Sequence, residues 1–96
     1  MHIISQKRIV DAKRKFPDSA SALDGWYRLA KANDFRTFAE LKRVFSSVDK
    51  VGPLYVFDIG GNKLRLIASI HFNRQKIYVR EVLAHREYDR NDWKIH

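Results

Sequence analysis

The sequence predicts an α+β fold in which a short N-terminal strand and two or three helices pack on one face of an antiparallel sheet that ends in a three-stranded meander. Three observations predict it. Apolar residues recur at helical spacing through the first half of the chain. After Pro53 the pattern changes abruptly to the two-residue alternation of strands. The length of 96 residues suits one core, so residues 1–96 read as a single domain. The composition, 45% hydrophobic and 31% charged, suits a globular chain, and the absence of cysteine leaves stability to packing alone.

Ile3 and Ile4 are β-branched and suit a short strand, which Ser5 can end by capping the helix that follows. Over residues 6–16, Ile9, Ala12 and Phe16 share a face while Lys7, Arg8, Lys13, Arg14 and Lys15 lie elsewhere, giving a basic amphipathic helix that Pro17 stops. Ser19 or Ser21 can start a second helix carrying Leu23, Trp26, Tyr27 and Ala30 on one stripe, with Gly25 as a weak point. Thr37 and Glu40 form a capping pair for a third helix with Phe38, Leu41 and Phe45 on one face. The helical spacing of Trp26, Tyr27, Phe38 and Phe45 marks them as packing residues.

Strands are expected over residues 54–59, 63–72 and 77–83, and a helical turn over residues 84–92. Gly60-Gly61-Asn62-Lys63 lacks phosphate-loop spacing and joins two strands, so it reads as a hairpin turn. Alternation sends Leu64, Leu66, Ala68, Ile70 and Phe72 to the core, and Lys63, Arg65, Ile67, Ser69 and His71 to the other face. Pairing Phe72 with Ile77 places Ile70 opposite Val79, Leu66 opposite Leu83, Ser69 opposite Arg80 and His71 opposite Tyr78. That register brings Arg65 and Arg80 together on the open face.

Nineteen Lys and Arg against eleven Asp and Glu give a net charge of +8, the electrostatic footprint of a nucleic-acid binder. No apolar run approaches the roughly 20 residues of a membrane span, and residues 1–10 are too polar for a signal-peptide core, so a cytoplasmic location is expected. Arg65 and Arg80 can clamp phosphate, and His85 and Tyr88, three residues apart, can share one face of the final turn. These residue types suit RNA cleavage by attack of a ribose 2′-hydroxyl on the adjacent phosphate, with imidazole as acid or base, arginine for the developing charge and tyrosine for stacking or orientation. Lys63, Lys7, Arg8, Lys13, Arg14 and Lys15 can steer RNA, although a basic helix face is more often simply solvated. His2, His71, His85 and His96 have no recognised ligand spacing, so neither metal nor other cofactor is expected.

Two segments, Tyr55-Val56-Phe57-Asp58-Ile59-Gly60-Gly61-Asn62-Lys63-Leu64-Arg65-Leu66 and Tyr78-Val79-Arg80-Glu81-Val82-Leu83-Ala84-His85-Arg86-Glu87-Tyr88-Asp89, closely resemble the HigB-type toxins of bacterial type II toxin-antitoxin systems, within the RelE-like superfamily. The resemblance covers nearly the whole chain. It implies a RelE-like fold and a metal-independent mRNA endonuclease, or mRNA interferase, that acts mainly on translating ribosomes. It also implies neutralisation by a HigA-type helix-turn-helix antitoxin, through which the complex would bind operator DNA. By position it carries catalytic roles onto Arg65, Arg80, His85 and Tyr88, and more loosely an RNA-binding role onto Lys63, leaving open whether His85 or Tyr88 is acid or base. Two rivals stand beside it: a gyrase-targeting toxin of the ParE branch on the same fold, and a non-catalytic RNA-binding module using the same basic face.

Overall fold

A computed structural model of the protein describes residues 1–61 and 63–90. The chain runs β1 (His2–Ile4), α1 (Gln6–Lys15), α2 (Ala20–Ala32), α3 (Phe38–Val44), β2 (Asp49–Val51), β3 (Leu54–Ile59), β4 (Leu64–His71), β5 (Lys76–Ala84) and α4 (His85–Asp89). This is the expected α+β architecture with the expected meander. Asn62, the expected continuation of the last turn to Asp92, Trp93 and His96 lie outside the described residues.

Helix boundaries follow the local chemistry. Phe16 closes α1 by donating its N–H to the Ala12 carbonyl, and Pro17 opens a 3-10 turn, Pro17–Ser19, that leads into α2. Thr37 caps α3, its Oγ1 accepting from the Glu40 N–H at 3.2 Å, while Glu40 reaches back to the Arg36 N–H. Ser5 departs from expectation: it lies in the left-handed region with φ 71° and its side chain caps nothing.

The sheet has five strands in the order β1-β5-β4-β3-β2. It is mixed, since β1 runs parallel to β5 with Ile3 opposite Ile77, whereas the other pairs are antiparallel. The sequence does not announce β2. Two of its three residues are charged and exposed, so this edge strand carries no apolar alternation.

The β4–β5 register differs from the expected one. Ala68 faces Val79, Ser69 faces Tyr78, Ile70 faces Ile77 and His71 faces Lys76, then a bulge intervenes, after which Leu66 faces Val82 and Arg65 faces Leu83. Arg80 is the extra residue of that bulge. The pairing starts two residues from the expected alignment, because Phe72–Arg74 is a 3-10 turn that leaves Ile77 opposite Ile70, and the bulge, which alternation cannot reveal, then reverses the faces beyond it.

The main core lies between the sheet and α1 to α3. Leu23, Leu41, Leu66, Ala68 and Ile77 have no exposed surface there. Phe57 receives Trp26 and Phe45 edge-on at 5.4 and 5.1 Å, so the aromatic residues at helical spacing do pack inward. Leu54, Val56 and Ile67 form a smaller cluster on the opposite face, joined by Val51, Leu83 and Tyr88. Ile67 is therefore buried, not displayed on an open face, and α4 lies on the side away from the other helices.

Gln75 locks the β4–β5 turn to the loop before α3. Its Nε2 donates to the carbonyls of Phe35 at 2.6 Å and Phe72 at 2.8 Å, and its Oε1 accepts the Phe35 N–H at 3.2 Å. None of the described helices is long and apolar enough to cross a membrane. Gln75→Ala removes all three bonds and orphans both backbone groups of buried Phe35, and should cost about 2 kcal/mol, read as a lower urea midpoint at unchanged slope.

Candidate active site

Arg65 leaves β4 on the face away from α1 to α3, opposite Asp58 of β3 and Leu83 of β5. Its Nε donates to Asp58 Oδ1 at 3.1 Å, and its Nη1 donates to the Leu64 carbonyl at 3.3 Å. The guanidinium carbon stands 5.5 Å from the centre of the Tyr88 ring, a cation–π contact. With only 13% of its side chain exposed, Arg65 is a guanidinium held in place beside Tyr88, paired to Asp58. Asp58 was not singled out from the sequence, because its role depends on the β3–β4 register.

Tyr88 is half-buried against the smaller apolar cluster. Burial pushes its phenol above the ordinary tyrosine value, Arg65 pulls it down, and Asp49, Asp58 and Asp89 push it up, with a net rise. The hydroxyl therefore remains protonated at neutral pH. It can donate a hydrogen bond or a proton but cannot serve as a resting base.

His85 opens α4 on the same short helix as Tyr88. Its Nδ1 is 2.9 Å from Asp89 Oδ2, one turn later, and the imidazole is 54% exposed. In the neutral ring this contact assigns the proton to Nδ1 and makes Nε2 the acceptor. Asp89 is the orienting partner that the sequence reading missed, although the i, i+4 spacing signalled it. The helix is held by Glu87, whose Oε1 accepts the Ala84 N–H at 3.0 Å while Oε2 lies 3.5 Å from Lys15 Nζ of α1. Alanine at the cap offers no side-chain acceptor in return, so among the described residues Glu87 is the side chain that caps the α4 N-terminus.

Arg80 is exposed on the bulge and is not the cross-strand neighbour of Arg65. Along β5 it stands about 15 Å from His85 at the usual rise per residue. The structure thus sets Arg65 against Tyr88, with His85 three residues earlier on the same helix, and leaves Arg80 further back along β5. Lys63, Lys7, Arg8 and Arg14 are exposed, whereas Lys13 is engaged with Asp24 of α2 at 2.8 Å. Among the described residues, no three His, Asp or Glu side chains are grouped as metal ligands would be.

Residues 19–91 match the family model of the HigB toxin, described as the RelE-like toxic component of a toxin-antitoxin system. The mRNA interferase HigB of Escherichia coli O6:H1 is 40% identical over 93 residues, 94% of this chain and 90% of that protein. The mRNA interferase toxin HigB of Escherichia coli K12 and the mRNA interferase HigB of Shigella flexneri are each 41% identical over 92 residues, 93% of this chain and 88% of theirs. The chain belongs to the HigB family of RelE-like toxins.

The placement of α4 carries a pH signature. The Ala84 N–H, foremost, and Lys15 hold the Glu87 carboxyl below its usual range against the opposing effect of burial. A carboxylate with a depressed folded-state value contributes stability above its unfolded pKa and loses it as pH falls through the folded value. Relative to Glu87→Gln, the wild type should be more stable at neutral pH. That advantage should shrink below about pH 4.5 and vanish in stronger acid, as followed by thermal melts across the series.

Proposed function

We propose that this toxin is an mRNA endonuclease that inhibits translation and growth by cutting messages on the ribosome in the cytoplasm. A HigA-type helix-turn-helix antitoxin would restrain it and tether the pair to operator DNA. The observation that carries the reading is the α4 constellation, in which an imidazole with an oriented, accepting Nε2 and a protonated phenol share one short helix beside a fixed guanidinium. Toxin-family membership and relatives named mRNA interferases support it.

In this reading His85 Nε2 accepts the proton of a ribose 2′-hydroxyl as the 2′-oxygen attacks the adjacent phosphorus. The bond from phosphorus to the 5′-oxygen breaks, the departing oxygen takes a proton from Tyr88, and the products are a 2′,3′-cyclic phosphate and a 5′-hydroxyl. Arg65, its charge shared with Asp58, is a positioning residue that fixes Tyr88 beside the crowded phosphate. Arg80, a few nucleotides away, grips the backbone further along the strand. Lys63, Lys7, Arg8 and Arg14 add to the attraction for ribosome-bound RNA, while Lys13 is neutralised by Asp24.

Brief expression followed by primer extension of cellular mRNA tests this. The wild type should generate new 5′ ends, and His85→Ala should reduce them by about a hundredfold or more with loss of growth inhibition, the scale of a missing general base. Arg80→Ala should weaken cutting mainly through binding. Growth arrest with DNA damage and no new mRNA ends would refute the nuclease reading.

A further inference from the structure

A second constellation lies outside the α4 cluster. At the junction of β1 and α1, a cleft of about 410 Å³ opens beside the β4–β5 ladder, and its lining includes Ser5, Arg8, Ser69, His71, Tyr78 and Arg80. The His71 and Tyr78 rings meet at 5.2 Å with planes 74° apart, making a corner of two aromatic surfaces. Arg8 and Arg80, both exposed, approach the same space from α1 and from the bulge. The Ser69 hydroxyl comes from the position opposite Tyr78.

We propose that this cleft is a nucleotide subsite that holds one unpaired ribonucleotide a few nucleotides from the cut, with its base in the His71–Tyr78 corner and its phosphate between Arg8 and Arg80. The proposal rests on the nuclease reading above and adds to it a determinant of sequence preference. Three features select this ligand. Two rings at a steep angle let a base stack on one while the other walls its edge, and the imidazole adds a hydrogen-bonding group that can distinguish bases. Paired guanidinium groups match a phosphodiester better than any neutral ligand. The base corner is about 20 Å along β5 from α4 at the usual rise per residue, a span that one extended strand of RNA covers in a few nucleotides. A duplex cannot present a stacked, unpaired base, so the ligand is single-stranded.

A fluorescein-labelled single-stranded hexaribonucleotide, 2′-O-methylated throughout so that it cannot be cut, provides the binding probe, with cut-site mapping of natural mRNA alongside. His71 and Arg8 are exposed, so His71→Ala and Arg8→Ala should fold, as thermal melting will verify. Each should weaken probe binding about tenfold, the scale of losing one stacked base or one phosphate contact. Arg43→Ala, an equal charge loss on the helix side of the sheet, should change binding less than twofold. Cutting by His71→Ala should persist but lose base preference at one position a few nucleotides from the cut. Equal weakening by Arg8→Ala and Arg43→Ala would reduce the effect to net charge and overturn the subsite. So would wild-type affinity and cut sites in His71→Ala. Failure of the nuclease reading looks different: the wild type would bind the probe through His71 and Arg8 yet produce no new mRNA ends.

Discussion

The ladder between β4 and β5 must satisfy two demands at once. Leu64, Leu66 and Ala68 bury one face against the helices, while Ile67 buries the other against Leu54 and Val56. A strand packed on both faces tolerates no slippage, because a shift of one residue exchanges the two sets. The bulge at Arg80 is how β5 meets both demands: Ile77 and Val79 join the main core ahead of it, and beyond it Val82 turns to that core while Leu83 turns to the smaller one. Both clusters of candidate functional residues depend on this arrangement, one packed over the small cluster and one opening beside the bulge.

Much of the frame was legible because individual residues are unambiguous. Pro17 stops α1 and opens the turn that follows, Thr37 and Glu40 announce a helix, and the glycines at 60 and 61 adopt the positive φ values that a tight turn requires. The strand β2 was hidden because a charged edge strand resembles a loop. The parallel seat of β1 was hidden because three residues state neither their partner nor its direction. Register failed at two places: Phe72–Arg74 turns as a 3-10 helix, so Ile77 faces Ile70 and not Phe72, and the inserted Arg80 then shifts every pair beyond it, leaving no mark on composition.

The site divided along the same line. His85 and Tyr88 were readable from their spacing on one turn, and Arg65 from its alternation. Partners that arise from cross-strand pairing were not readable, so Asp58 was missed, and with it the fact that Arg65 is held and not free to swing. Asp89 lay within reach of a simple helix rule. The basic surface also needed correction by structure. Lys13 and Lys15 reach Asp24 and Glu87, and such exposed pairs add little stability, yet they remove two cations from those available to RNA.

The bulge has a further consequence for how this chain can vary. Val79 and Val82 are committed to the interior, so the core constrains what can replace them. Arg80 sits between them without a cross-strand partner and without a place in either cluster. Folding asks almost nothing of its side chain. An arginine kept at such a position across descendants of this toxin would record selection for what the exposed face touches, and position 80 is where inheritance of function and inheritance of fold can be told apart within a single strand.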